Sequence, residues 1–137
     1  MRLWHFKLIP VLPRQQLLGQ WRECCLIAKE LAEKGTPNHI LVNPVVQYPL
    51  SHFCYYSYTV YKEMKKRGYS VDWQKFSEHL KEKDIAAKTP YVIKYSILFN
   101  GWHTDEYFKQ CYYNLEEKHD RGGISDEEWQ KIEEVYK

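Results

Sequence analysis

The sequence predicts an all-α fold: a single compact domain of about four to five helices, preceded by an extended amino-terminal arm. Two long stretches carry apolar residues at alternating spacings of three and four, which is the period of an amphipathic helix. Residues that commonly begin and end helices bound these stretches. A length of 137 residues suits one domain, residues 1–137, that buries roughly two-thirds of the surface its unfolded chain exposes.

The first twelve residues predict an arm rather than a helix. They are rich in apolar side chains without a helical period, and they contain Pro10 and precede Pro13. Because so much apolar surface would not stay in water, we expect the arm to be extended and held against the core. That placement would fix the position of the chain's first amine.

Residues 13–35 predict the longest helix. Proline suits the first turn of a helix, glycine suits the position just past its end, and Pro37 follows as a stop. The apolar stripe of this helix is formed by Leu17, Trp21, Cys24, Ala28 and Leu31.

The other faces of this helix are polar or small. At ~100° per residue, the face opposite the stripe carries Gln15, Gly19, Arg22 and Leu26, and Gln16 and Glu23 share one flank. Gly19 leaves room for another molecule to approach the backbone closely. From the residues alone, a solvated face explains this pattern more simply than a binding site does.

The middle of the chain predicts a connector and a second helix. Residues 35–49 contain three prolines and could hold a short strand. The second helix should run from Ser51, as its N-cap, to Arg67, and end at Gly68. Its apolar stripe is Phe53, Tyr56, Val60 and Met64.

The last turns of the second helix are basic and include Lys65 and Lys66. Cations near the carboxyl end of a helix are also favourable for the helix dipole alone. The cluster is therefore explained about equally well by helix stability and by phosphate binding.

Three helical segments are predicted in the remaining chain, each with a cap residue. Asp72 should cap a short helix whose buried side is Trp73, Phe76 and Leu80 and whose wet side is Lys75, Glu78, Lys81, Glu82 and Lys83. Residues 84–103 fit either a strand or a buried helical turn. Thr104 should cap a fourth helix that points Phe108, Cys111, Tyr112 and Leu115 inward.

The last predicted helix begins at Ser125. Ser125 and Glu128 form a capping box, and Ile124 and Trp129 have the spacing of a hydrophobic staple. The residues expected to dock this helix on the core are Trp129, Ile132 and Val135.

Composition argues against several classes of protein. No apolar run approaches the ~18 residues that a membrane span needs, and the amino terminus lacks the pattern of a signal peptide, so we expect a cytoplasmic protein that binds no membrane. Cys24, Cys25, Cys54 and Cys111 have no CxxC spacing. Disulfides, a zinc site and cysteine nucleophiles are therefore not expected.

Charge is unevenly distributed although the net charge is only +2. Residues 1–103 hold 15 Lys and Arg against 8 Asp and Glu, and residues 104–137 hold 5 against 10. A basic body with an acidic carboxyl-terminal segment favours a polyanionic partner on the first two-thirds of the chain.

Residues of the arm and the first helix follow a recognisable order, consisting of Leu8, Leu12, Gln15, Leu17 and the triplet Trp21-Arg22-Glu23. This order and spacing resemble the amino-terminal part of the pyrimidine dimer DNA glycosylases, the phage endonuclease V family. Residues 66–69, Lys-Arg-Gly-Tyr, resemble the end of that family's second long helix. The resemblance extends through residue 72.

The resemblance implies a DNA repair enzyme that acts through its own amino-terminal amine. The amine would attack the sugar carbon that bears the damaged base and form an imine, and Glu23 would serve as the base, with abasic-site lyase activity as a further step. An α-amine is partly unprotonated at neutral pH, whereas a lysine amine is almost fully charged. Because methionine is generally retained before a residue as large as Arg2, we expect the amine of Met1 to be the nucleophile.

The resemblance also implies double-stranded damaged DNA as the partner, with the target nucleotide flipped out of the stack. Arg22 would hold a phosphate beside the opened site. The other predicted DNA contacts are Arg2, Arg14, Gln15, Gln16, Lys65 and Lys66. We expect a monomer with no cofactor and no metal.

Some positions depart from the family's pattern. Leu26 stands where the family has an arginine, the connector is shorter, and the aromatic and basic tail is not evident. Two alternatives therefore stay open: a non-catalytic DNA-binding relative, and a small-ligand or interaction protein on the same scaffold, with Arg22 and Glu23 as a surface ion pair.

Overall fold

Helices account for the regular secondary structure of this protein. The structure, a computed structural model, describes residues 1–80, 87–88 and 90–137. The α-helices are α1 (Arg14–Lys34), α2 (Leu50–Lys66), α3 (Trp73–Ser77), α4 (Asp105–Asp120) and α5 (Asp126–Tyr136). Two 3₁₀ helices span Phe6–Val11 and Asn43–Gln47. No strand occurs in these residues, which confirms the all-α prediction.

α1 has the predicted bounds and the predicted buried face. Pro13 precedes it, and Gly35 ends it with a φ of 75°, a left-handed conformation that glycine adopts without strain. All five residues of the predicted stripe are buried, and the predicted polar face is exposed at Gln15, Arg22 and Leu26. Gln20 and Ile27 are also buried, although the spacing did not place them on the stripe.

α2 packs against α1 through the predicted stripe, but its start was predicted wrongly. The helix begins at Leu50 after Pro49, and Ser51 is buried inside the first turn instead of capping it. A proline before the first turn already fixes a suitable φ, so no side-chain cap is required. The helix ends as predicted, at Arg67 and Gly68, and Gly68 has a φ of 87°.

The strand suggested for the connector is absent from residues 35–49, all of which the structure describes. This segment forms turns and the 3₁₀ helix Asn43–Gln47, with Pro44 in its first turn. Proline lacks the N–H that a strand ladder needs but suits the start of a helix. Val42 and Val45 anchor the segment in the core.

The arm is held in the core as predicted, but only part of it is extended. Leu3, Leu8 and Leu12 are completely or almost completely buried. The prediction of an extended arm is wrong for Phe6–Val11, which forms a 3₁₀ helix capped by the His5 side chain. The local hydrogen bonds of a 3₁₀ turn satisfy backbone groups that burial would otherwise leave unpaired.

Arg67 fastens the far end of the arm to α2. Its Nε donates to Glu63 Oε2 at 2.8 Å, Nη1 to the carbonyl of Leu12 at 2.8 Å, and Nη2 to the carbonyl of Pro10 at 3.1 Å. The guanidinium is therefore committed to the fold, which is a structural role for part of the basic cluster at the end of α2.

The caps of the last three helices are those predicted. Asp72 accepts from the Gln74 N–H, Thr104 accepts from the Tyr107 N–H, and Ser125 and Glu128 form the capping box. Val135 was wrongly expected to dock α5, because it is 39% exposed. Tyr136 packs there instead, stacking on Tyr112 with ring centroids 3.8 Å apart.

Residues 90–103 form turns and no strand. Two hydrogen bonds of helical spacing, from the Leu98 N–H to the Lys94 carbonyl and from the His103 N–H to the Phe99 carbonyl, each at 2.9 Å, agree with the predicted alternative of a buried helical turn. Residues 84–86 and 89 of the predicted segment lie outside the described residues. Leu98 and Phe99 bury their side chains from this segment, and Phe99 adopts a φ of 50°. The predicted wet residues Lys81, Glu82 and Lys83 lie outside the described residues. None of the helices described here combines the length and the apolar character that a membrane span requires.

A buried pair of histidines joins the arm to the loop before α4. His5 Nε2 donates to the carbonyl of His103 at 3.1 Å, and the Phe6 N–H donates to His103 Nδ1 at 3.2 Å. Burial lowers the pKa of His5 from its usual 6.5 to about 4 and holds the pKa of His103 well below its usual value. Both rings are therefore neutral in the folded protein at neutral pH.

The histidine pair predicts that the fold is sensitive to acid. The free energy of unfolding should fall by roughly 1 to 3 kcal/mol as the pH drops from 6.5 towards 4, because the unfolded chain binds protons that the folded imidazoles exclude. Urea denaturation at a series of pH values measures this slope. His103→Asn keeps an acceptor for the Phe6 N–H and should flatten the slope, whereas His79→Asn, at an exposed position, should leave it unchanged.

Candidate active site

One cavity brings together the amino terminus and Glu23. Its volume is about 270 Å³. It is lined by Met1, Arg2, Trp4, Glu23, Leu41, Asn114 and Lys118. The arm, the middle of α1, the connector and α4 therefore meet at one place.

Glu23 lies half-buried beneath the start of the arm. Its Oε2 accepts from the Arg2 backbone N–H at 3.3 Å and from Gln20 Nε2 at 3.2 Å. Because adjacent backbone nitrogens are less than about 4 Å apart, the amine of Met1 lies within roughly 7 Å of this oxygen. A carboxylate and an α-amine thus face the same cavity.

Gln20 holds the arm in this position. Its Nε2 donates to the carbonyl of Arg2 at 2.8 Å and to Glu23, and its Oε1 accepts from the Trp4 N–H and the Tyr56 hydroxyl, each at 2.8 Å. The side chain is 1% exposed. A buried amide with both ends bonded fixes one geometry, because any other arrangement leaves polar groups unpaired.

Two tyrosine hydroxyls also form hydrogen bonds to the backbone of the arm. The Tyr107 hydroxyl donates to the carbonyl of Leu3 at 2.6 Å. The single proton of the Tyr56 hydroxyl is shared between the carbonyl of Trp4, at 2.5 Å, and Gln20 Oε1, at 2.8 Å. Burial raises the pKa of both phenols, so both remain donors at any ordinary pH. Together with Gln20, side chains from α1, α2 and α4 bond the three consecutive carbonyls of residues 2–4.

Cationic groups border the cavity. The Arg2 guanidinium lies 5.3 Å from the centroid of the Trp4 ring, and Lys118 comes from the last turns of α4. Asn114 lies one turn before Lys118, so both point from one side of α4. Such groups suit a phosphate next to the amine and the carboxylate.

Comparison with known proteins identifies the family of this chain. The pyrimidine dimer DNA glycosylase family matches residues 1–77, more than half of the chain. The protein belongs to this family. No curated protein and no solved structure gave a match. The match covers the arm, α1, α2 and α3, and the cavity residues Asn114 and Lys118 lie outside it.

The predicted members of a glycosylase site are distributed unevenly. Met1, Arg2 and Glu23 line the cavity. Arg22 follows on the exposed side of α1, where its Nη2 would lie 3.7 Å from a Cβ placed on Gly19. Gln15 is exposed, and Gln16 is half-buried with an Oε1 that has no hydrogen-bond partner among the described residues.

Arg2 is the one predicted DNA contact that lines this cavity, and three of the other six belong to the two ends of α1 and α2 that follow the arm and precede Gly68. Arg14 is at the start of α1, with its guanidinium 5.9 Å from the Tyr69 ring centroid and its N–H bonded to Glu128 at 2.9 Å. Lys65 and Lys66 are exposed at the end of α2. The cavity that holds Glu23 includes none of the three.

Several residues of the site were missed by the sequence analysis. Trp4, Leu41, Asn114 and Lys118 line the cavity, and Gln20 supports it. The one signal available in the sequence was the spacing of Gln20, three residues before Glu23 on the same side of the helix. Nothing in the sequence indicated that α4 would reach the amino terminus.

The cysteines do not contribute reactive groups to this site. All four are buried thiols. Burial raises the pKa of Cys24, Cys25 and Cys111, which disfavours the thiolate that nucleophilic attack requires. Within the described part of the chain, no group of three or more His, Cys, Asp or Glu residues is placed to hold a metal ion.

Gln20→Leu tests the support of the arm. The substitution removes both hydrogen-bonding ends of a buried side chain and leaves the Arg2 carbonyl and the Trp4 N–H unpaired, so unfolding should become easier by about 2–4 kcal/mol. Thermal or chemical denaturation measures the loss. Gln130→Leu, at an exposed position on α5, is the control and should change stability by less than about 0.5 kcal/mol.

Proposed function

We propose that this protein is a DNA repair glycosylase that acts on damaged pyrimidines in double-stranded DNA through an imine between its amino-terminal amine and the sugar. The observation that carries the proposal is the cavity in which the amino terminus and Glu23 meet, in a member of the pyrimidine dimer DNA glycosylase family. The whole chain, residues 1–137, would form this one domain and act as a monomer without a metal or cofactor, on DNA in the cytoplasm.

In the first step the neutral amine donates its electron pair to C1′ of the damaged nucleotide. The bond between C1′ and the base breaks, and the base leaves with the electron pair of that bond and takes up a proton. Glu23 accepts the proton that the attacking nitrogen loses. The electron pair of that nitrogen then forms the C=N bond while the bond from C1′ to the ring oxygen O4′ breaks, and O4′ takes the proton from Glu23. Glu23 is then ionised again, opposite the cationic imine. The cation and the carboxylate are then held within one small cavity, where their attraction is stronger than in water.

A lyase step uses the same pair of groups. The imine makes the protons on C2′ acidic, Glu23 removes one of them, and the bond from C3′ to its phosphate oxygen breaks. Water then hydrolyses the imine and restores the amine. The base lost in the first step and the phosphate lost in the second are the only leaving groups.

Retention or removal of Met1 decides which residue supplies the nucleophilic amine. With Met1 retained, its amine is the nucleophile and reaches over the cavity. If Met1 is removed, the nitrogen of Arg2 becomes the amine, and in the present geometry it lies 3.3 Å from Glu23 Oε2. Either form of the chain presents a primary α-amine to the carboxylate of Glu23.

The DNA would lie across the cavity and the exposed face of α1. Arg2, Arg22 and Lys118 supply phosphate contacts close to the flipped nucleotide. Gln15 and Gln16 extend this surface along α1. Arg14, Lys65 and Lys66 do not line the cavity, and they would contact phosphates on either side of the flipped nucleotide.

A non-catalytic DNA-binding protein is the second candidate. The Arg2 N–H already occupies Glu23 Oε2, so a retained Met1 keeps its amine one residue further from the base than a cleaved chain would. Such a protein would bind duplexes in a salt-dependent manner and would form no imine.

Borohydride trapping tests the proposal. Duplexes that carry an abasic site or a cyclobutane pyrimidine dimer are incubated with the protein and reduced, and mass spectrometry locates the crosslinked nitrogen. We expect an adduct on the first residue that disappears when the amine is acetylated. A protein that binds these duplexes but gives no adduct, with a verified native amino terminus, would support the non-catalytic candidate instead.

Glu23→Gln should lower strand cleavage by at least about 100-fold, because an amide cannot accept the proton. Folding and DNA affinity should change little, since the amide oxygen can still accept from the Arg2 N–H. Cleavage rates on an abasic duplex, with circular dichroism as the folding control, measure this. Loss of the folded state in this variant would show that Glu23 is structural.

Arg22→Ala should weaken DNA binding and reduce the slope of log affinity against log salt by about one. A guanidinium that contacts one phosphate displaces about one counterion. Fluorescence anisotropy between 50 and 200 mM salt, roughly the range over which such slopes are resolved, measures the change. Lys75→Ala removes one exposed charge away from the cavity and should leave the slope as it is; equal slopes in all three proteins would remove Arg22 from the interface.

A further inference from the structure

An exposed apolar tip stands beside the cavity that holds Glu23. Ile40 is 83% exposed and Leu41 is 44% exposed, and they occupy the turn between α1 and the second 3₁₀ helix. Leu41 is also one of the residues that line the cavity. The tip therefore begins at the rim of the site and projects from it.

The turn that carries this tip is braced from both sides. The His39 carbonyl accepts from the N–H groups of Val42 at 3.0 Å and Asn43 at 2.8 Å. Asn43 Oδ1 accepts from the His39 N–H at 2.8 Å, and His39 Nδ1 accepts from the Leu41 N–H at 3.3 Å. A turn with this many internal hydrogen bonds presents its tip in one orientation.

The next residues fasten the turn to the core. Val42 is 0% exposed and Val45 is 4% exposed. On the other side, Asn38 adopts a φ of 54°, and its N–H donates to Thr36 Oγ1 at 3.3 Å. The turn thus holds the Ile40 side chain in solvent, where it does not pack against the core.

Single exposed apolar residues are common on protein surfaces and need no explanation by themselves. Ile40 differs because internal hydrogen bonds brace its turn and because its neighbour Leu41 lines the same cavity as Met1 and Glu23. Flipping a nucleotide out of a duplex leaves a gap in the base stack. Apolar side chains that enter such gaps stabilise kinked duplexes in other DNA-binding proteins.

We propose that Ile40, supported by Leu41, is a wedge that enters the base stack of the duplex next to the flipped nucleotide. This inference rests on the proposed glycosylase function and names the residues that open the duplex at that site. Ile40 would be a positioning residue, since it touches neighbouring bases and not the reacting atoms. The apolar side chain leaves water for the space between two base pairs, and the rigid turn avoids the entropic cost of ordering a loop.

The first test of the wedge measures base unstacking by fluorescence, on a duplex that the protein cannot cleave. A duplex with a tetrahydrofuran abasic analogue and a 2-aminopurine beside it becomes more fluorescent when the neighbouring base is unstacked. The native protein should raise the fluorescence at saturation, and Ile40→Ser should lose at least about half of that rise. Val92→Ser, at a position that is 77% exposed and outside the cavity, is the matched control and should behave as the native protein does.

The second measurement compares two substrates that carry a true abasic site. On single-stranded DNA no stack has to be opened, so Ile40→Ser should cleave and trap within about twofold of the native rate. On duplex DNA its kcat/KM should fall about tenfold or more, because the unstacking is no longer compensated. Equal losses on both substrates, or none on the duplex, would overturn the wedge.

These measurements separate the wedge from the function on which it rests. If the native protein traps no imine on either strand form but Ile40→Ser still loses the 2-aminopurine signal, the glycosylase proposal fails and the wedge stands. If trapping is normal and Ile40→Ser equals the control in both assays, the wedge fails and the glycosylase stands. Absence of any fluorescence change with the native protein at saturating binding would overturn the wedge directly.

Discussion

The hydrogen bonds of Gln20 connect everything that is chemically important in this protein. This one amide bonds the backbone of Arg2 and Trp4, the carboxylate of Glu23 and the hydroxyl of Tyr56. Because the Gln20 side chain is buried, water competes little for those bonds, and without it the Arg2 carbonyl and the Trp4 N–H would be left unpaired. The relation between the first residues and α1 is therefore fixed by the core and not by surface contacts.

That constraint explains the layout of the rest of the chain. The arm has to run through the core so that its carbonyls reach Gln20, Tyr56 and Tyr107, which belong to three different helices. The histidine pair and Arg67 then secure the segment that follows. This path places a set of polar groups in the core of a small domain. Most domains of this size keep their termini at the surface instead.

Much of this arrangement could be predicted from the sequence. The stripes of α1 and α2, the caps at Asp72, Thr104 and Ser125, and the burial of the arm all follow from local rules about spacing, hydrogen bonding and apolar surface. The errors occurred where a local pattern has two physical solutions: Ser51 can cap a helix or pack inside it, and an apolar segment interrupted by prolines can be extended or form a 3₁₀ turn.

The candidate site was predictable only in its first half. Glu23 and the amino terminus are indicated by the resemblance, which covers the early part of the chain. Lys118 and Asn114 come from α4, almost a hundred residues later, and no spacing rule relates two helices so far apart in sequence. Gln20 was overlooked because glutamine on a helix flank is usually solvated, and its burial depends on an arm whose path the sequence does not specify.

The buried path of the arm has a consequence for motion. Chain termini usually fray, and their amide protons exchange with water within seconds because they open independently of the fold. Here the amides of Arg2 and Trp4 are bonded to groups on α1. They open only when the arm separates from the core, so the first residues should exchange their amide protons together with α1 and not as a frayed end.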